Sequence, residues 1–430
     1  EAHNREGEGT ALNNIGGIYA RQGEYEDALD YYKQALTILR EIGDRVGEEG
    51  SLNNIGFIYA RQGEYEDALD YCEQALTILR EIGNRAGEGD TLNNIGGIYA
   101  RQGEYEDALD YYEQALTILR EIGDRAGEAT TLDNIGRAYD SLGQYEEAIR
   151  YYEQGLGIFR RIGNRAREGA MLESIGGVHY HQGRYMEALT YLGQALEIFQ
   201  ETGNLRGESE TLNGIGLVYD RLGEYEEALS YFRQALAMDQ EIGQRVQKGT
   251  MLNDVEFVYY SLTKDITLNH IGLVYHHRGQ YEEALTYYPQ ALDICQVTGD
   301  RAGEGTSLNN IGGIYQLTGQ YEKALTYYER ALGIRQEIGD RRGEATTLHN
   351  IGLGYRSLGQ CAEALTHYKK ALDIRQEVGD WRGEGISLDA IGSVYSCLRR
   401  HEEALAYYKT ALDIRQEIGD RAGEGVTLNN

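Results

Sequence analysis

Leu12–Leu39 reads LNNIGGIYARQGEYEDALDYYKQALTIL, and its spacing decides the fold. Leu12, Ile15, Gly16 and Tyr19 fall at i, i+3, i+4 and i+7, the stripe of a helix buried along one face. Gln22-Gly23-Glu24 interrupts the stripe, and Tyr25, Ala28, Leu29, Tyr32, Ala35, Leu36 and Leu39 restart it. The stretch is therefore two helices, A and B, folded back at a glycine. Gly43 supplies a C-terminal stop for helix B, Asp44 an N-cap for the next helix A, and Glu48 negative charge in that helix's first turn. Small residues at Gly16 and Ala28 let A and B approach closely, and Tyr19, Tyr25 and Tyr32 are assigned to packing between hairpins.

The pattern recurs every 40 residues. Ala11–Gly50, Ser51–Asp90, Thr91–Thr130, Thr131–Ala170, Met171–Glu210 and Thr211–Thr250 share one frame, and Thr267–Thr306, Ser307–Thr346, Thr347–Ile386 and Ser387–Val426 follow in another, ten full repeats in all. One hairpin cannot bury both its faces, but a stack can. The expectation is all-α, a right-handed α-solenoid superhelix. Residues 1–250 are expected to hold six repeats after a partial linker, and residues 267–430 four repeats and the start of another. Both ends of the chain fall inside the pattern, so the sequence is read as a segment of a longer array.

Between the two frames, Met251–Ile266 supplies a helix A with no helix B, and Glu256 stands where other units carry the Gly16 residue. A single helix through Met251–Arg278 would turn its apolar stripe by about 160° between the two openings. A break or kink is therefore expected near Leu262–Asp265, with Asp265 capping a shortened helix and the array changing direction around residues 251–290. Pro289, the only proline, falls in the next helix B and removes the bond to the Leu285 carbonyl.

With 430 residues, a formal net charge of −29 and a pI near 4.7, the chain lacks the basic face that nucleic acid or an anionic membrane requires. Cys72, Cys295, Cys361 and Cys397 share no C-x-x-C spacing and each replaces another residue of its siblings. They read as drift in a reducing compartment, and the expected location is the cytoplasm. No run approaches a membrane span, and no signal peptide opens the chain. Glycine strings such as Gly303-Glu304-Gly305 follow no strand and lack the Lys-Ser/Thr of a phosphate loop. His270, His276 and His277, or His179 and His181, lack the i, i+4 spacing of a zinc helix. No nucleophile, base and orienting residue stand apart from the repeated surface. No cofactor, metal or catalytic residue is expected.

Leu12, Gly16, Tyr19, Gly23, Tyr25, Ala28, Tyr32 and Ala35 resemble the tetratricopeptide-repeat pattern at its own spacing. The usual 34-residue unit ends in proline, whereas here helix B runs on into Glu-Ile-Gly-Asp-Arg. The 40-residue unit is similar to repeats of the Pins/LGN scaffolds, its Leu-Asn-Asn-Ile-Gly opening resembles kinesin light chains, and long near-identical arrays resemble those of bacterial proteins carrying a CHAT protease or a STAND ATPase. The resemblance covers almost the whole chain.

It implies that helix A lines a concave wall, with the positions of Asn13, Asn14, Gly17, Ala20 and Arg21 facing a groove. Along the array these become Asn13, Asn14, Asn53, Asn54, Asn93, Asn94, Asn134, Asn213, Asn253, Asn269, Asn309, Asn310 and Asn350. A row of amides can pair with the backbone of an extended peptide through donor and acceptor alike; the alternative is internal bridging between adjacent helices. Arg21, Arg61, Arg101 and Arg221 form a basic lane suited to an acidic or carboxylate-bearing ligand, unless they pair with the Glu24 and Glu26 equivalents. Gly17, Gly97, Gly177 and Gly313 alternate with Phe57, Leu217, Leu273 and Leu353 and vary the depth of that wall. Trp381 is read as a partly packed surface residue. Three functions fit: a scaffold that binds a protein or peptide partner in the Asn-lined groove, a sensor arm of a larger CHAT or STAND protein, and a spacer that self-associates end to end.

Overall fold

The computed structural model describes residues 2–247 and 254–430, with side chains over 5–242 and 264–430. Twenty-one helices and no strand are found among the described residues. They alternate as read: helix A of repeat 2 is Arg45–Gln62 and its helix B Tyr65–Ile82; repeat 3 has Arg85–Gln102 and Tyr105–Ile122; repeat 4 has Arg125–Ser141 and Tyr145–Ile162. From Ala2 to Leu222, and again from Tyr281 to Asn429, each helix packs on the next one in the chain.

The local chemistry explains the punctuation. Gly43 takes φ 73°, a left-handed conformation open to glycine, and the backbone N–H of Asp44 closes the helix on the Leu39 carbonyl at 2.9 Å. Asp44 then accepts the Gly47 N–H at 3.0 Å as the expected N-cap. At the last hairpin tip Arg399 stands where siblings have glycine, and it is forced to φ 59°. A methyl group added to Gly16 would lie 2.8 Å from the Tyr32 ring and 3.2 Å from the Ala28 carbonyl oxygen. The absent side chain is what brings A and B together.

The core is a line of clusters along the array, one of which runs unbroken from Ala108 to Phe199. Leu52, Ile55 and Ile58 of helix A, all 0% exposed, meet Ala28, Tyr32 and Leu36 of the preceding helix B. Tyr32 is buried as expected, but Tyr19 and Tyr25 are only half-buried. Tyr19 instead stacks on Tyr31, a residue the helical stripe left out, with ring centroids 5.3 Å apart. The same pairing joins Tyr59 to Tyr71, Tyr99 to Tyr111 and Tyr139 to Tyr151. A stacked pair of this kind contributes about 0.5–1.5 kcal/mol beyond area burial.

Glu48 does more than face a helix dipole. It is 6% exposed and accepts from Arg40 Nε of the preceding helix B at 2.9 Å and from Arg45 Nη1 at 2.7 Å, and Arg45 also reaches Glu81. Burial pushes the Glu48 carboxyl up, and the two arginine bonds more than offset it, leaving the group below the usual carboxylate range. Glu88, Glu128 and Glu168 repeat the clamp with the same balance. Repeats 7 to 9 replace its cross-repeat arm with an amide: Gln296, Gln336 and Gln376 donate to Glu304, Glu344 and Glu384.

Contacts divide the chain into two compact units, Glu1–Glu224 with Gln244–Phe257, and Tyr225–Gly243 with Val258–Asn430. Helix B of repeat 6, which the sequence reading places with residues 1–250, therefore falls largely in the second unit. The break expected near Leu262–Asp265 is not present: Asp254–His277 is one 24-residue helix. Asp265 lies within it, 1% exposed, instead of capping a shorter helix. Asn253 and the side chain of Glu256 lie outside the described residues. The second stripe packs as read, with Leu268, Ile271 and Val274 at 3%, 1% and 1% exposure. Pro289 sits inside Tyr281–Thr298, which continues past it as an α-helix.

Candidate functional site

Asn53, Phe57 and Arg61 from helix A of repeat 2, Asn93, Asn94, Gly97 and Arg101 from that of repeat 3, and Asn134 from that of repeat 4 line one pocket of ≈ 230 Å³. Its floor is Cys72 and Tyr112 of the intervening helices B. Successive helices A present these residues because their spacing of 40 keeps each position on the same face of its helix. Six of the seventeen asparagines and arginines singled out in sequence are thus neighbours in space.

The two asparagine positions behave differently. The first of each pair bridges repeats: Asn13 donates to Ser51 Oγ at 2.8 Å, Asn53 to Thr91 Oγ1 at 3.1 Å and Asn269 to Ser307 Oγ at 3.0 Å. The second either reaches back to the first, as Asn134 to Asn93 at 3.1 Å, Asn310 to Asn269 at 3.4 Å and Asn350 to Asn309 at 3.0 Å, or bonds nothing. Asn14, Asn54 and Asn94 have no hydrogen-bond partner among the described residues. Asn213 and Asn269, each 7% exposed, lie inside the packing, where Asn213 donates to the Ser209 carbonyl at 3.2 Å. Internal bridging thus accounts for the first position of each pair; the free amides belong to the second.

The basic lane is uncompensated at one end. Arg21, Arg61 and Arg101 are exposed and reach no carboxylate among the described residues. Arg21 Nε donates to the Gly17 carbonyl at 3.1 Å, and the Arg61 guanidinium lies 5.4 Å from the Phe57 ring centre. Arg221 instead donates to the Tyr180 hydroxyl at 2.9 Å. Acids take the Asn13 position in repeats 4 and 5, as Asp133 and Glu173, and burial, with the charge of Glu210, pushes the Glu173 carboxyl up to about 7. His181, in the arginine lane, lies with Nδ1 3.2 Å from Asp140 Oδ1. Trp381 is 57% exposed.

Cys72 was passed over in sequence, yet it shapes the pocket. Siblings place Tyr32, Tyr112 and Tyr152 there, and the Tyr32 and Tyr112 hydroxyls come within 3.6 Å and 3.8 Å of a methyl built on Gly17 and Gly97. Repeat 2 lacks that phenol and carries Phe57 at the glycine position. Burial pushes the Cys72 thiol up to about 12, so it acts as a small apolar wall and not as a nucleophile.

The tetratricopeptide-repeat family model matches residues 1–41, 47–121, 87–161, 167–241, 264–337 and 343–417. The chain belongs to the tetratricopeptide-repeat family. Among solved structures, a Rap protein complexed with competence and sporulation factor superposes over 96% of this chain and 99% of its own, with a TM-score of 0.54 at 15% identity. Aspartyl phosphate phosphatase F from Bacillus subtilis covers 86% of this chain and 94% of its own, with a TM-score of 0.52 at 17% identity. The apo quorum sensor NprR from B. thuringiensis covers 93% and 98%, with a TM-score of 0.50 at 18% identity. At these identities the likeness establishes the tetratricopeptide-repeat fold alone. A search of curated proteins finds no match to the sequence. No helix among the described residues of this tetratricopeptide-repeat chain is long and apolar enough to cross a membrane.

Proposed function

We propose that the helix A wall of repeats 2 to 4 holds an extended, acidic segment of a partner protein. One observation carries this reading: the free amide of Asn94, the guanidinium groups of Arg61 and Arg101 without a carboxylate, and an apolar recess converge on the same pocket. Asn94 offers a donor and an acceptor to a peptide backbone without demanding a side chain. Arg61 and Arg101 are positive groups without a counter-charge in a chain of net charge −29, so a carboxylate from outside is their available partner. The recess left by Cys72 beneath Phe57 takes one apolar side chain of the ligand. A fold neighbour complexed with competence and sporulation factor is consistent with a scaffold role.

The test is a fluorescence-polarisation screen of acidic, neutral and basic peptide libraries against the full chain. Acidic peptides with one apolar residue should bind best, and more weakly as salt rises. Each charge-assisted bond contributes about 1.5–3 kcal/mol, so Arg61→Glu with Arg101→Glu should cost at least about 100-fold. Equal binding of basic and acidic peptides, or affinity unchanged by the double substitution, rejects the proposal.

A further inference from the structure

The residue at the Leu39 position of each helix B changes along the array. It is Leu39, Leu79, Leu119, Phe159, Phe199 and Asp239 in the first six repeats, then Cys295, Arg335, Arg375 and Arg415. The three arginines are neutralised where they stand. Arg335 pairs with Asp340, the N-cap of the following helix A; Arg375 Nε is 3.7 Å from the equivalent Asp380; Arg415 Nη2 is 2.7 Å from Asp389. A cation paired with a carboxylate is thus the rule in repeats 8 to 10, the carboxylate being the cap in repeats 8 and 9 and Asp389 in repeat 10.

Repeat 7 keeps the cap carboxylate, Asp300, and adds another, Asp265, where Gly89, Gly169 and Gly305 stand elsewhere. In place of the guanidinium it has a thiol. Asp265, Cys295 and Asp300 each bring a ligand atom within 4.8 Å of the others, and Cys295 Sγ donates to Asp265 Oδ2 at 3.2 Å. Asp265 and Cys295 are both 1% exposed, and Asp265 Oδ1 has no hydrogen-bond partner among the described residues. Two carboxyl groups and a thiol, with Asp265 and Cys295 buried, Asp300 half-buried and one oxygen unsatisfied, need a positive charge or bound protons.

We propose that Asp265, Cys295 and Asp300 bind one divalent transition-metal ion of the zinc class, which takes the place that a guanidinium fills in the next three repeats. The thiolate selects such an ion over magnesium or calcium. On binding, the Cys295 S–H bond breaks, its proton goes to solvent, and a sulfur–metal bond forms, with water in the fourth position. A tetrahedral zinc ion spaces its ligands about 3.5 Å apart, so the cluster contracts by about an ångström. The ion would join two successive helices A to the helix B between them. Burial pushes the Asp265 carboxyl up to about 6 and raises the Cys295 thiol, so affinity should rise with pH. The proposal is independent of the groove.

The test titrates the metal-stripped full chain with Zn²⁺ against a chromophoric chelator, and with Co²⁺ by absorption. Expected are one tight equivalent, a thiolate-to-cobalt charge-transfer band, and a zinc-dependent rise in thermal midpoint. Cys295→Leu and Asp265→Gly install sibling residues, and each should weaken binding at least about 100-fold with helicity unchanged. Absence of the cobalt band in the unmutated chain overturns the proposal even if a variant misfolds. So does a tight equivalent that survives both substitutions, which would place the ion at a histidine pair instead.

Discussion

Replacing Gly136 with alanine should destabilise repeat 4, although alanine is the better helix former. Gly136 lies in helix A, Arg125–Ser141. A methyl there would meet Tyr152 Cε1 at 2.6 Å, Cδ1 at 2.7 Å and Cζ at 2.9 Å, and Tyr152 is 2% exposed, so its ring has no room to swing. Overpacking of this kind costs about 1–3 kcal/mol, and the helix-propensity gain returns about 1 kcal/mol. With three ring atoms inside contact distance the net loss should be about 1–2 kcal/mol. Gly157, in helix B of the same repeat, is the control: a methyl there meets nothing within 4 Å, and Gly157→Ala should gain about 1 kcal/mol. Because repeat arrays unfold by nearest-neighbour units, hydrogen exchange of peptides from Arg125–Ile162 is the suitable measurement, supported by urea unfolding. If Gly136→Ala proves as stable as the parent chain, or both variants shift the same way, the account of close approach between A and B is wrong.

Arg399→Gly should stabilise the last hairpin by about 1 kcal/mol, because it relieves a side chain held at positive φ; thermal unfolding that is unchanged or lowered would contradict this. Glu48, Glu88, Glu128 and Glu168 are held below the ordinary carboxylate range in the folded chain, so they bind protons more readily when unfolded. Their contribution is full above the unfolded value of about 4.3 and is lost as pH falls through the folded values. Acid titration followed by circular dichroism should show the first unit weakening below about pH 4.5, and Glu128→Gln should flatten that dependence; an unaltered profile would remove the clamp from the explanation.

The hairpins, their caps and the A–B approach were legible because each rests on a local rule: a 3.6-residue stripe, a glycine after the last turn, an aspartate before the first. The Tyr19–Tyr31 stack was not, since Tyr31 lies off the stripe and its partner comes from the other helix. The clamp around Glu48 joins residues 8 and 3 positions away, a link that only the docking of two repeats makes visible. Six of the residues assigned to the groove line one pocket as the repeat spacing implies, whereas Asn213 and Asn269 belong to the interior, Asn213 bonded to the Ser209 carbonyl of its own helix and Asn269 bridging to Ser307 of the next repeat. Cys72 and Cys295 looked like drift because spacing along the chain is blind to what a missing phenol or guanidinium leaves beside it. The break near Asp265 was inferred from stripe phase alone, and Asp254–His277 is one helix across it.

The change from Leu39 and Arg40 to Arg335 and Gln336 also governs which units recombination can exchange. Early helices B place a leucine or phenylalanine against caps that are aspartate or asparagine alike, as Asp44, Asn84, Asp124 and Asn164 show. Duplication or loss of whole units among them leaves each junction chemically whole. Arg335, Arg375 and Arg415 each precede an aspartate cap. A crossover that set an asparagine-capped helix behind Arg335 or Arg375 would leave a guanidinium without its cap carboxylate. The near-identical early repeats can therefore multiply freely, while the later ones are committed to their neighbours.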